Sequence, residues 1–221
     1  MELFEAMQQR HSVRKYKDRP LGESVKKVLR QKIEECNRES GLHMQLVTDE
    51  PRAFAGKMAH YGSFSGVTDY IVLVGKKGDD LDEKCGYYGE KVVLFAQQLG
   101  LNTCWVALTY SKIPGAYEVR PGEKLVLVIA LGYGENQGTA HKSKTLEQVC
   151  KVQGDMPDWF KNGVEAALLA PTAVNQQKFT FSVSGKCVTA KAGVAFYSKV
   201  DLGIVKYHFE IGAGAENFVW G

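Results

Sequence analysis

Arg10, Ser12 and Arg14 fall at alternate positions of the run Arg-His-Ser-Val-Arg-Lys-Tyr, residues 10–16. In an extended segment, alternate side chains share one side. Two guanidinium forks and a hydroxyl on one side form a donor set suited to a phosphate monoester. The planar fork meets two phosphate oxygens at once. A solvated basic loop is the competing reading of any isolated R-x-S-x-R.

Two later stretches carry comparable chemistry. Ala170-Pro171-Thr172-Ala173-Val174-Asn175-Gln176-Gln177 places one Asn and two Gln after a Pro-Thr turn. Carboxamides both donate and accept, so they can read the N3–H and C=O edge of a flavin or a nucleobase. A polar loop leading into a strand is the alternative. His141-Lys142-Ser143-Lys144 adds two more cations. The five histidines show no ligand spacing and the five cysteines no C-x-x-C, so no metal site is expected. Widely spaced cysteines in odd number read as reduced thiols.

The elements that must position these residues follow from periodicity. Helices are expected over 2–9, 22–38, 86–99 and 157–169, with a last one from about 199, because apolar residues recur there at helical spacing. Strands are expected over 43–47, 70–74 and 124–131. Residues 179–183 and 188–191 are expected to form a hairpin across Ser184-Gly185-Lys186. Residues 52–60 read as a possible helix, 61–67 as a loop and 76–83 as a polar turn. Gly132-x-Gly134 is no dinucleotide fingerprint, since the third glycine comes one residue late and no helix pattern follows.

The chain has 221 residues, 44% hydrophobic and 24% charged, with net charge +3. These are ordinary globular values; the mild positive charge does not argue for a nucleic-acid surface and would not resist an anionic cofactor. No basic leader and no apolar run long enough for a membrane helix is expected.

Four segments together resemble the nitroreductase family of FMN-dependent NAD(P)H oxidoreductases. Residues 10–16 match its R-[RH]-S-x-[RK]-x-[FY] signature after a short helix. Gly100, Leu101, Thr103, Cys104 and Trp105 match G-L-G-[ST]-C-W, with Asn102 where the family often has Gly. Gly132-Tyr133 and the basic pair Lys142 and Lys144 match a third segment. Ala170, Pro171, Thr172, Ala173, Asn175 and Gln177 match A-P-[ST]-A-x-N-x-Q-P-W, with Phe179 for the tryptophan and Lys178 for the proline. In most of the family this last loop follows the first long helix. Here that slot holds Glu39 to Met44, without the proline or the asparagine, and the good copy comes late.

The resemblance implies an α+β, nitroreductase-like fold, a central and mostly antiparallel sheet flanked by helices. It implies one FMN-binding domain over 1–221, whose two helix–loop–strand stretches suggest halves of about 1–150 and 151–221. It further implies FMN as cofactor, NAD(P)H as reductant, a small nitroarene- or quinone-like acceptor, a homodimer and a cytoplasmic location. The cofactor-binding residues it implies are Arg10, His11, Ser12, Arg14, Val106, Leu108, Lys142, Lys144, Pro171, Thr172, Ala173, Asn175 and Gln177. It names no catalytic acid or base. Ser40 to His43 is expected to stand away from the flavin. Two other readings stay open. One is a flavin enzyme of different chemistry, oxygen-dependent flavin fragmentation or reductive dehalogenation; the other is a non-enzymatic FMN-binding protein.

Overall fold

Tyr70 to Val74 has no charged side chain and four aliphatic ones in a row, so it needs partners on both edges and both faces. The computed structural model, which describes residues 1–152 and 154–221, supplies them. β2 (Asp69–Lys76) pairs with β1 (Gln45–Val47) on one side and β4 (Glu123–Gly132) on the other, and β4 pairs with β3 (Asn102–Val106). All three pairings are antiparallel, in the order β1-β2-β4-β3. The register aligns Tyr70 with Ala130 and Ala130 with Cys104, and likewise Val72 with Val128 and Val128 with Val106. These side chains belong to one buried cluster with Val13, Tyr16, Phe54 and Phe64.

The chain divides into two compact units. One is Met1–Leu81 with Lys91–Ala140; the other is Asp82–Glu90 with His141–Gly221. The first holds the sheet above, α1 (Leu3–Gln9), α2 (Glu23–Ser40) and α3 (Lys57–Tyr61). α2 ends on Gly41 in the left-handed conformation, whose N–H returns to the Asn37 carbonyl. Residues 39–43 are thus a helix C-cap, and His43 Nδ1 lies 3.0 Å from Glu123. The expected helix over 52–60 is instead a 3-10 turn, Pro51–Phe54, followed by the short α3. α4 (Leu81–Gln98) starts earlier than its apolar stripe suggests, because Asp82 and Glu83 favour the positive N-terminal end of a helix.

The second unit has its own sheet, β5 (Cys150–Val152), β6 (Phe179–Ser184), β7 (Cys187–Ala192) and β8 (Val219–Trp220), in that order. The β6–β7 hairpin is antiparallel, while β5 and β8 join it in parallel. Short helix α5 (Leu146–Val149) precedes β5. α6 (Asp158–Ala167) and α7 (Ser198–Ala213) complete the unit. Its core is aromatic: Phe181 stacks on Phe209 at 4.8 Å, and Phe160, Phe218 and Trp220 surround Phe209. The fully buried His208 bonds Glu90 at 2.9 Å.

α7 crosses residues 82–90 at backbone contact. A Cβ on Gly203 would lie 2.0 Å from the Glu83 carbonyl oxygen, and one on Gly86 would lie 2.0 Å from that of Val200. Backbone cannot yield as a flexible side chain does. Gly203→Ala should therefore lower unfolding free energy by about 3 kcal/mol, the upper range of overpacking costs. Urea titration by circular dichroism reads this directly, and an unchanged midpoint would contradict the tight crossing.

Candidate functional site

Arg10 ends α1 and is 2% exposed, its N–H bonded to the Ala6 carbonyl. From there the chain runs extended through Tyr16, and its backbone groups are taken up by three separate elements. Val13 N–H donates to the Thr103 carbonyl on the outer edge of β3 at 3.0 Å. Ser65 N–H donates to the Arg14 carbonyl and Tyr16 N–H to that of Ser65, both at 3.0 Å. Glu135 N–H donates to the Lys15 carbonyl at 2.9 Å, and Lys17 N–H to Tyr133 at 2.8 Å. Gly66 makes the close approach possible: its φ is +70°, and a Cβ there would meet the Tyr16 carbonyl oxygen at 2.2 Å. Tyr16 Oη turns inward and donates to the Val13 carbonyl.

The basic segment is therefore a loop whose backbone is held by isolated bridges to three parts of the first unit. Ser12 sits opposite Thr103, next to Cys104. Burial pushes the Cys104 thiol up, while Arg14, a hydrogen bond with Ser12 and Arg10 act in the opposite sense. Both guanidiniums and the Ser12 hydroxyl thus favour the thiolate of the same buried sulfur. Arg14 is exposed, with its guanidinium 5.9 Å over the Phe64 ring. His11 is half-buried. Val106 is buried at the end of β3 and Leu108, just beyond it, is exposed.

The remaining predicted residues lie in the second unit, where they form one network. Thr172 Oγ1 accepts from the Gln177 N–H at 3.0 Å. Gln177, 2% exposed, donates through Nε2 to the Lys142 carbonyl and to Asn175 Oδ1, and accepts at Oε1 from the Lys144 N–H. Asn175 Nδ2 also donates to the Lys142 carbonyl, at 2.9 Å. Lys144 Nζ donates to the carbonyls of Gln176 and Gln177, at 3.0 and 2.7 Å. The carboxamide of Gln177 and the ammonium of Lys144 are directed at the protein backbone. Asn175 is exposed and keeps a second amide hydrogen and a second lone pair. Lys142 is exposed, and Pro171, Thr172 and Ala173 are half-buried.

This network holds an unusual backbone. Val174, Asn175 and Gln177 have φ of +45°, +54° and +45°, and Tyr197 has +57°. Left-handed conformations cost non-glycine residues roughly 1 kcal/mol or more each, and a β-branched valine is a rare occupant. Strain of this kind persists only where surrounding contacts impose it. Here the sequence reading missed one contributor. Asp201, in the first turn of α7 and 3% exposed, accepts from the Ala173 N–H at 3.0 Å and from Gln176 Nε2 at 2.6 Å. Gln176 Nε2 also donates to the Phe196 carbonyl at 2.9 Å. Nothing in the run Ser-Lys-Val-Asp separates Asp201 from the acidic residues common in helix first turns.

Burial raises the Asp201 carboxyl from 3.8 to about 6, against the pull of its two hydrogen bonds; no charged side chain contributes. The folded state thus binds the proton more tightly than the unfolded one. Asp201 supports folding most below pH 3.8, and that support is lost as pH rises through about 6. Loss of that proton between pH 3.8 and neutrality lowers the folding stability by about 3 kcal/mol.

Comparison with known proteins bears on the family and the fold. The model of a family described as "Putative TM nitroreductase" matches residues 2–213. In fold the chain is similar to the crystal structure of a "putative nitroreductase" from Thermotoga maritima, at 24% identity and TM-score 0.69, over 98% of this chain and 85% of that one. It is similar to a nitroreductase family protein from Streptococcus pneumoniae, at 12% identity and TM-score 0.53, over 67% and 98%. A third relative in fold is a "putative nitroreductase" from Desulfovibrio desulfuricans solved in complex with FMN, at 17% identity and TM-score 0.52, over 71% and 98%. No curated protein matches the chain.

Cys104 lies beside two guanidiniums, yet burial dominates and keeps it a neutral thiol. Iodoacetamide at pH 8 should alkylate the exposed Cys187 and spare Cys104 until the protein is unfolded. Peptide mass mapping reads the outcome; native labelling of Cys104 at the rate of Cys187 would mean that the cations outweigh burial.

Proposed function

Because the chain belongs to this nitroreductase family, we propose that it is an FMN-dependent oxidoreductase acting on a small acceptor of the nitroarene or quinone type, with NAD(P)H as reductant. The observation that carries the reading is the basic segment 10–14, bonded through its backbone to the edge of β3, with Ser12 opposite Thr103 and the Arg14 guanidinium exposed. Its chemistry fits a single phosphate monoester, which favours FMN over FAD. An exposed guanidinium at Arg14 is free of competing carboxylates among its described contacts and can meet the phosphate without displacing one. Bound FMN would supply the hydride-accepting ring; the protein's own part is to bind and orient it.

In this reading Arg10 and Arg14 of the first unit are phosphate ligands and Ser12 a ribityl ligand; of the second unit, Lys142 is a cation of the phosphate-binding type and Thr172 a hydroxyl of the ribityl-binding type. His11 and the backbone at Val106 and Leu108 flank the cofactor. The 170–177 loop provides ring contacts through Pro171, Thr172, Ala173 and the remaining hydrogen-bonding capacity of Asn175. Gln177 and Lys144 contribute by holding that loop, since their polar atoms are engaged with it. His43 stays with Glu123 and takes no part. A homodimer and a cytoplasmic location belong to the same proposal; the five free thiols agree with a reducing compartment.

The purified protein should carry, or take up, non-covalent FMN, identified by heat release and chromatography against standards. FAD, or no uptake of added FMN, would sink the proposal. Arg14→Ala should weaken FMN binding about thirtyfold, the loss of a charge-assisted phosphate contact of about 2 kcal/mol, while Lys15→Ala changes it little. Both side chains are exposed, so neither substitution burdens the fold. Equal small effects in a flavin fluorescence titration would return the basic segment to a solvated surface.

A further inference from the structure

The second unit maintains an expensive arrangement at residues 172–177. Three of these residues are left-handed without being glycine, and Val174 combines that strain with a side chain 95% exposed to solvent. Neither feature adds to the unit's own core. The group bonded to this arrangement is a buried carboxylate that, among the described residues, faces the neutral Ala173 amide and the Gln176 carboxamide and no cation. Through Gln176 the same carboxylate reaches the Phe196 carbonyl, next to the left-handed Tyr197. Lys199 and Lys206 stand on the same helix, and neither contributes to its ionisation. A hydrophobic or amide side chain at 201 would spare the cost of burying charge. A buried carboxyl whose ionisation burial disfavours, bonded to a strained and exposed loop, is better explained by what the loop presents than by stability.

We propose that Asp201 is a positioning residue for the cofactor: its carboxylate, bonded to the Ala173 N–H and to Gln176, clips the 172–177 loop into the left-handed form that receives FMN. Gln176 is the second half of the clip and ties the loop to residue 196. The inference rests on the flavin reading above, and three measurements separate the two.

Asp201→Asn keeps shape and volume but presents an NH₂ group where Gln176 also presents one. The melting temperature at pH 7.5 should stay level or rise, because the buried charge is gone. The wild-type chain should gain stability relative to the variant as pH falls from 7 to 5, following the proton taken up at Asp201. FMN dissociation constants from flavin fluorescence should rise tenfold or more, with a shifted absorption band for the flavin that still binds. Hydrogen exchange at the Ala173 amide should accelerate in the variant with no FMN present. Gln176→Ala should reproduce part of the affinity loss, and the double variant should lose less than the sum of the two.

Unchanged FMN affinity in Asp201→Asn would overturn the proposal. So would an affinity loss accompanied by a collapse in melting temperature, which marks a merely structural residue, or strict additivity with Gln176→Ala. A wild-type chain that binds no FMN sinks the flavin reading instead. In that case unchanged exchange at Ala173 in the variant overturns the clip, and faster exchange upholds it.

Discussion

The backbone of residues 12–17 has nowhere to hide its polar groups except against other chain. It lies over the outer edge of β3, the one edge of the first sheet that no strand covers on that side. An open edge presents unpaired N–H and C=O groups, and a buried one must be satisfied. The Arg14-Lys15-Tyr16 stretch answers the need a second and third time, at Ser65 and at Tyr133 to Glu135. Everything chemical in the first unit depends on this stitching. Once the backbone is fixed, Val13 and Tyr16 are committed to the core and the cations to the remaining directions. The same contact brings Ser12 to Cys104 and sets the field in which that thiol sits.

The second unit solves a different problem by a different means. Its late loop carries three left-handed residues, a backbone that does not continue a strand. Side chains do the holding instead. Gln177 and Lys144 satisfy the loop from one direction, and Asp201 with Gln176 from another. Such polar networks are worth keeping only when every member is satisfied, since a buried group left unpaired costs more than the network returns. The aromatic core around Phe209 and the glycine-mediated crossing of α7 supply the stability against which that cost is set.

The long periodic elements were legible in the sequence. The stripe of α2, the apolar runs of β2 and β4 and the β6–β7 hairpin declare themselves through spacing alone. The short strands β5 and β8 do not, because three- and two-residue strands carry too little pattern and are chosen by pairing with β6 and β7. The start of α4 was obscured because its first turn is acidic and its stripe begins later. The break between Phe54 and Lys57 was obscured because a 3-10 turn and a short helix together look like one helix in composition.

For the candidate site, the sequence by itself determined which residue types are present and in what local order: cations alternating with a hydroxyl at 10–14, and amides following a Pro-Thr turn at 171–177. Alternation is a property of the extended backbone, so a shared side for Arg10, Ser12 and Arg14 is an expectation that needs no coordinates. What each polar group is bonded to is a tertiary matter. Gln177 and Lys144 have the same donors and acceptors whether they face a ligand or a backbone carbonyl, and only packing directs them to the backbone. Asp201 lies 28 residues from the amide it holds. A carboxylate in a helix first turn has no local mark of that task, because its role is created by burial and by a partner that only the folded chain brings to it.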